Sequence, residues 1–230
     1  WGLIVRNPAD AATAPSPERT EMAMWDVETI NSFLESAANS PCYHLYHLDV
    51  LTGLRRSELL GLHWNRVDLE AGNLMITKTL QRIYGKGLVE GQPKTAKSRR
   101  SIALSSTAAA LLRSVRASQL EQRLAVGPVW NDTGYVFTQP DGRPIDPDAV
   151  THDFQSIVRR AKLPHLTLHG LRHAHATLML TAGVHPKIVS ERLGHSNISV
   201  TMDIYSHVMP GMQEAAAQAV DERLANGTSG

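Results

Sequence analysis

The chain has 230 residues, 42% of them hydrophobic and 20% charged, which is enough apolar material to bury one sizeable core and argues against a wholly disordered chain. Its single cysteine, Cys42, cannot close an internal disulfide, and no apolar run reaches the length of a signal peptide or a membrane span; a reducing, cytoplasmic setting with no membrane contact is expected. With 23 Lys and Arg against 22 Asp and Glu, the net charge of +1 gives no global attraction to nucleic acid, but the charge is unevenly placed.

The opening "WGLIVRNPAD" reads as the end of an earlier helix, followed by the Pro/Ala/Ser/Thr-rich linker "PADAATAPSPERT". Residues 1–20 are therefore expected to lead in from a preceding domain. After "MW", Asp26 is an expected N-cap for a helix that carries Val27, Ile30, Phe33, Leu34 and Ala37 at 3.6-residue spacing and stops at "NSP". A second helix is predicted from about Cys42 to Leu51, broken by Thr52 and Gly53, and a third begins near Arg55. From Asn73 the period changes. "NLMITKTLQRIYGKGLVEGQPKTAKSRRSIAL" has β-branched residues, two Gly-containing turns and a closing "RSIAL", predicting an antiparallel β element of two or three strands.

Residues 82–100 of that element hold Arg82, Lys86, Lys94, Lys97, Arg99 and Arg100 against the lone acid Glu90, while both flanks of the chain are comparatively acidic. A near-neutral total can thus hide a basic working face, although a solvated hairpin tip would look the same. Helices return with "SSTAAALLRSVRASQLEQRL", "DPDAVTHDFQSIVRRAK", "LHGLRHAHATLMLTAG", "HPKIVSERLG" and a last "GMQEAAAQAVDERLA". The predicted fold is mainly α with a small antiparallel β-hairpin or sheet insertion: 21–210 as the main domain, 211–230 as a terminal helix and tail.

Four places concentrate groups able to handle a phosphate or a proton. In "TGLRRSELLGL", Arg55 follows a Gly break, and Glu58 lies on the same helix face three residues on. A guanidinium suits a phosphodiester and the carboxylate can fix it, though an ordinary surface ion pair has the same spacing. In "LHGLRHAHATLML", His169 and Arg172 stand one turn apart, with His173 and His175 following. His-x-x-Arg is a weak signal and recurs at His63 and Arg66. His169 and His173 have the i,i+4 spacing of a zinc helix, but no HExxH glutamate accompanies them, and no metal is expected. Lys94, in "QPKTAKSRR", sits where a flexible side chain can donate a proton to a leaving oxygen or merely touch a backbone phosphate. Finally, "LGHSNISVTMDIYSHV" places His195 ten residues before Tyr205, a pair that by itself suits a packed tyrosine equally well.

Taken in order, Arg55 in "TGLRRSEL", a lysine in a β-turn, "HGLRH", "LGHS" and "YSHV" resemble the catalytic domain of the tyrosine recombinases, the phage-integrase family, over about residues 21–210. The resemblance implies that Arg55 and Arg172 clamp a scissile phosphate, that His169 and His195 are the active-site histidines, and that Tyr205 is the nucleophile. It implies Lys94 as general acid, because "PKTAKSRRSIAL" is similar to the family's Lys-Thr turn; Lys97 is the alternative and Lys86 a more distant one. Glu58 would support the first arginine, and Arg56, Lys86, Lys97, Arg99 and Arg100 would contact DNA.

The activity implied by the resemblance is that of a site-specific recombinase, which joins DNA strands through a 3′-phosphotyrosine and needs neither metal nor ATP. Its expected partners are double-stranded att-type recombination sites, a tetramer of itself on DNA assembled through the C-terminal helix, and an accessory directionality factor. The site of action is then the DNA of a bacterial host. Two further readings stay open: a dimer-resolving recombinase of the same family, and a catalytically silent DNA-binding module.

Overall fold

The computed structural model describes residues 24–93, 98–208, 217–218 and 220–224. The expected linker over 1–20, Lys94, Lys97 and most of the expected C-terminal helix lie outside these residues. Within that last segment 217–218 and 220–224 are helical, and Val220 is exposed.

Helix α1 (Val27–Ser36) begins as its sequence predicts: the Asp26 carboxylate accepts from the Thr29 amide at 2.8 Å and from the Thr29 hydroxyl at 2.6 Å. Ile30 and Phe33 face inward, whereas Val27, expected on the same stripe, is exposed. Helix α2 (Tyr43–Thr52) is central and packs on α1 as well as on three later helices, α3 (Arg56–Leu60), α4 (Ser106–Val126) and α6 (Leu168–Thr181). It ends at Gly53, whose φ of 63° is the left-handed conformation that glycine adopts most cheaply. A Cβ there would come within 2.6 Å of the His175 ring and of Leu193, so this turn must also be glycine for close packing.

The β element is larger than its sequence predicts. Strands β1 (Val67–Asp68), β2 (Asn73–Ile76) and β5 (Arg100–Ala103) form one antiparallel sheet in the order β1-β2-β5, with Leu74 opposite Ile102 in the core. Strands β3 (Thr79–Ile83) and β4 (Gly87–Gly91) form a separate hairpin. Two residues of β1 are too short a run to show a period of two, which is why the sequence conceals it. The hairpin is tied down by polar side chains: Glu90 accepts from His63 Nε2 at 2.7 Å and Tyr135 hydroxyl at 2.9 Å and pairs with Lys78 at 2.6 Å, while Arg82 pairs with Asp146. His63 and Arg66, the second His-x-x-Arg, belong to a single 3₁₀ turn and its flank beside this hairpin, and His63 is engaged by Glu90.

Trp25, Phe33, Tyr46 and Phe154 pack ring against ring at centroid distances of 4.9 to 6.0 Å, joining α1, α2 and α5 (Pro147–Arg160). The Tyr46 hydroxyl is satisfied inside this core, donating to the Val150 carbonyl at 2.9 Å with Asp153 Oδ2 2.8 Å away. A second, smaller cluster of Ala176, Leu180, Val189, Leu193 and Ile204 holds α7 (Pro186–Leu193) and α8 (Ser199–Val208) against α6. Helix α8, which carries Tyr205, is an element that periodicity alone did not set apart.

Candidate active site

Arg55 occupies the N-cap of α3, and there both its backbone N–H (3.0 Å) and its Nη1 (2.7 Å) donate to Glu58. The other terminal nitrogen, Nη2, donates to the Gly194 carbonyl at 2.9 Å. Glu58 itself is 1% exposed and takes two more hydrogen bonds from Arg100 of β5, at 3.0 Å from Nη1 and 2.9 Å from Nη2. Burial alone would push the Glu58 carboxyl up, but the hydrogen bonds and charge of Arg100, joined by those of Arg55, outweigh it and hold the group below the usual carboxylate range.

Arg172, on α6, is 2% exposed, and it donates to the Gly53 carbonyl at 2.8 Å and the Leu193 carbonyl at 2.6 Å. Burial and then the Arg55 charge lower its guanidinium, which remains charged at neutral pH. The third guanidinium, Arg100, sends Nε to the Arg192 carbonyl at 2.6 Å. Three successive carbonyls at the end of α7, those of Arg192, Leu193 and Gly194, thus each accept from a different arginine. Helix C-termini offer this naturally, since their last carbonyls lack intrahelical partners and carry the negative end of the helix dipole. Gly194, with φ 66°, turns the chain so that its own carbonyl joins the row.

The histidines lie around this platform. His169, one turn before Arg172, is exposed, and its ring stands edge-on to that of His173 at 4.7 Å. Partial burial, then His173, Arg172 and Arg55, lower the His169 pKa to about 4. His195 follows Gly194 directly, and its Nδ1 is 2.8 Å from the hydroxyl of Thr201, which is fully buried on α8. Burial, then Arg172 and Arg55, push His195 to about 4 as well. Both rings are consequently neutral at pH 7, and an arriving phosphate anion would raise them. Tyr205 is half-buried on α8 one helical turn beyond Thr201, and it packs against the smaller apolar cluster.

Sequence reasoning missed Thr201 and the row of carbonyls; backbone groups leave no mark in the residue alphabet. Of the residues expected on DNA, Lys86 and Arg99 are exposed, Lys86 in the β3–β4 turn. Arg56 is turned toward α5, where it bonds the Pro147 carbonyl at 3.1 Å and the Thr151 hydroxyl. Arg100 is also turned inward, with its side chain 7% exposed, where Glu58 and two carbonyls hold it. Two concavities of about 440 and 430 Å³ flank the Arg55–Gly194 contact, one bordered by Arg55 and His169, the other by Arg100 and His195. A larger one of about 650 Å³ beside Trp64 and Arg113 contains none of these groups. Among the described residues no group of three His, Cys, Asp or Glu side chains is arranged to hold a metal, and no helix is long and apolar enough to cross a membrane.

Residues 22–211 match the profile of the phage integrase family. The chain belongs to that family. Its relatives include a tyrosine recombinase XerC-like protein of Caldanaerobacter subterraneus subsp. tengcongensis, 33% identical over 96% of this chain and 61% of that protein. Another is the ICEBs1 integrase of Bacillus subtilis, 27% identical over 96% of this chain and 60% of its own length. The integrase-family chain therefore spans about three fifths of each. Among solved structures, the Tn1549 transposon integrase in complex with transposon right end DNA superposes with a TM-score of 0.75 at 27% identity, covering 91% of this chain and 69% of that one. The XerA recombinase, at 21% identity and a TM-score of 0.64, shares the fold. The tyrosine-recombinase catalytic fold, mostly helical with small antiparallel sheets, is thus the architecture of this integrase-family chain.

Proposed function

We propose that this chain is the catalytic part of a site-specific DNA recombinase that cuts and rejoins strands through a 3′-phosphotyrosine, with residues 21–210 as the catalytic domain. The observation that carries the reading is the placement of Arg55 and Arg172, 117 residues apart, on the adjacent carbonyls of Gly194 and Leu193 with His195 next in the chain. A phosphodiester under attack gains negative charge on its non-bridging oxygens, and fixed guanidiniums stabilise that charge without reorganising. Arg55 is the more open of the two, its side chain 34% exposed, and presents to the phosphate, while buried Arg172 supplies fixed charge beneath.

The Tyr205 oxygen attacks phosphorus and its proton passes to a neutral histidine, His169 in our reading. The bond from phosphorus to the deoxyribose 5′-oxygen breaks, and Lys94 (or Lys97) protonates the leaving oxygen, a contribution typically of about 10² to 10⁴ in rate. One ester replaces another, so a second strand's 5′-hydroxyl can reverse the step without ATP or metal. Lys86 and Arg99, with the turn lysines, contact backbone phosphates. We further infer att-type sites as substrate, a tetramer on DNA joined through the C-terminal helix, an accessory directionality factor and action in a bacterial cytoplasm. Resolution of dimers is the second reading, favoured by the likeness to a XerC-like protein. Recombination of one paired site, rather than of two different sites, would select it.

The test is a nicked suicide substrate incubated with the full-length protein. A covalent adduct is expected with the parent protein and none with Tyr205→Phe, which should bind DNA within about twofold of the parent. An adduct that persists in Tyr205→Phe removes Tyr205 as nucleophile.

A further inference from the structure

Arg100 is the feature that this reading leaves over. It pairs with Glu58, a carboxylate 1% exposed, and its own side chain is only 7% exposed. Its Nε donates to the Arg192 carbonyl, Nη1 to Glu58 Oε1 and the Ser98 carbonyl (3.1 Å), and Nη2 to Glu58 Oε2. A carboxylate offers about four lone-pair positions. On Glu58 all four are taken, two by Arg55 and two by Arg100. The carboxylate can neither rotate nor exchange partners without breaking a hydrogen bond in a buried setting.

Charge gives the arrangement its meaning. Glu58 and Arg55 alone would be a closed pair of zero net charge, and a phosphate approaching Arg55 would compete with a carboxylate already 2.7 Å from the same guanidinium. With Arg100 included, two cations share one anion. We infer that Arg100 is a positioning residue of the cleavage site: its bidentate pairing neutralises Glu58, so that Glu58 orients Arg55 without cancelling the charge that Arg55 presents to the scissile phosphate. The inference rests on the reading of Arg55 as a phosphate ligand. The shared turn makes the coupling mechanical as well, because Arg100 packs on Gly194, where a Cβ would lie 2.8 Å from its Nη1, and Gly194 holds Arg55 Nη2.

The experiment compares single-turnover cleavage of two suicide substrates by the full-length protein, one with an ordinary scissile phosphodiester and one with a methylphosphonate there. Replacing a charged non-bridging oxygen by methyl removes the need for a cation beside it. In Arg55→Ala the methylphosphonate-to-phosphodiester rate ratio should rise at least tenfold over the parent. Arg100→Met should cleave the phosphodiester about 10- to 100-fold more slowly, with DNA affinity within about twofold, and its ratio should rise as in Arg55→Ala. Arg100→Lys, which keeps a cation on Glu58, should recover part of both effects, and it carries the test should Arg100→Met fail to fold. Equal loss on both substrates in the Arg100 variants, alongside a raised ratio in Arg55→Ala, would overturn the inference and leave Arg100 a scaffold residue. An unchanged ratio in Arg55→Ala would instead remove the phosphate-ligand reading of Arg55, and the inference with it.

Discussion

Glu58 holds its charge at 1% exposure because four N–H groups surround it. Removing it leaves Arg100 buried without its counter-ion, a change worth roughly 3–5 kcal/mol. Glu58→Leu is therefore expected to lower the urea-unfolding free energy by about that amount, and a loss under about 1 kcal/mol would show the pair to be hydrated. His175 makes a pH prediction. Its Nδ1 donates to the Val50 carbonyl at 2.8 Å, its Nε2 is buried without a partner, and burial foremost holds its pKa at about 4, below the ordinary 6.5. A folded pKa below the unfolded one means that the unfolded chain takes up the proton first. The stabilisation is then complete above about pH 6.5 and drains away as pH falls toward 4, by as much as roughly 3 kcal/mol. Urea midpoints at pH 7 and pH 4.5 should differ less in His175→Gln than in the parent. Spacing in the sequence pointed to Arg55 with Glu58 and to His169 with Arg172, and the family resemblance grouped them with His195; neither pointed to the inward turn of Arg100, since a surface arginine and a buried one are the same letter.

At the scale of elements, the end of α7 matters more than its length suggests. It is an eight-residue helix whose terminal turn receives three guanidiniums, and Gly194 is the residue that lets it do so. Gly194→Ala should cost about 1–2 kcal/mol for the left-handed backbone. It should also slow cleavage by displacing Arg100 and Arg55 together, measurable as a fall in single-turnover rate at saturating protein. Unchanged cleavage would mean that the carbonyl row is dispensable. The helices over 27–36, 106–126, 147–160, 168–181 and 186–193 were legible from period and caps, because amphipathic helices write their own pattern. The division of the β element into a sheet and a hairpin was not, because β2 ends at Ile76 and its partner β5 begins only at Arg100, a long-range choice no local pattern encodes.

For the whole molecule, a net charge of +1 makes the proposed DNA binding a matter of where cations stand. Lys86, exposed in the β3–β4 turn, should lower the slope of log affinity against log salt by about one when replaced by alanine, with the loss similar across DNA sequences. An unchanged slope would remove the hairpin from the DNA-binding face. The same molecule-wide view explains the two apolar clusters: the large one fixes α2 and α5 through Trp25, Phe33, Tyr46 and Phe154, and the small one carries α8 and Tyr205.

The sequence by itself offered candidate cations, histidines and a tyrosine, and the helical periods and caps that carry them in order along the chain. Those properties are local, written in side-chain type and spacing. Only the tertiary structure decided how the cations are shared. Arg55, Arg100 and Arg172 come from the N-cap of α3, β5 and α6, and each is fixed by a carbonyl at the C-terminal end of α7 that has no identity of its own in the sequence. Orientation of a charge depends on backbone groups and on burial, and both exist only once distant segments have packed together.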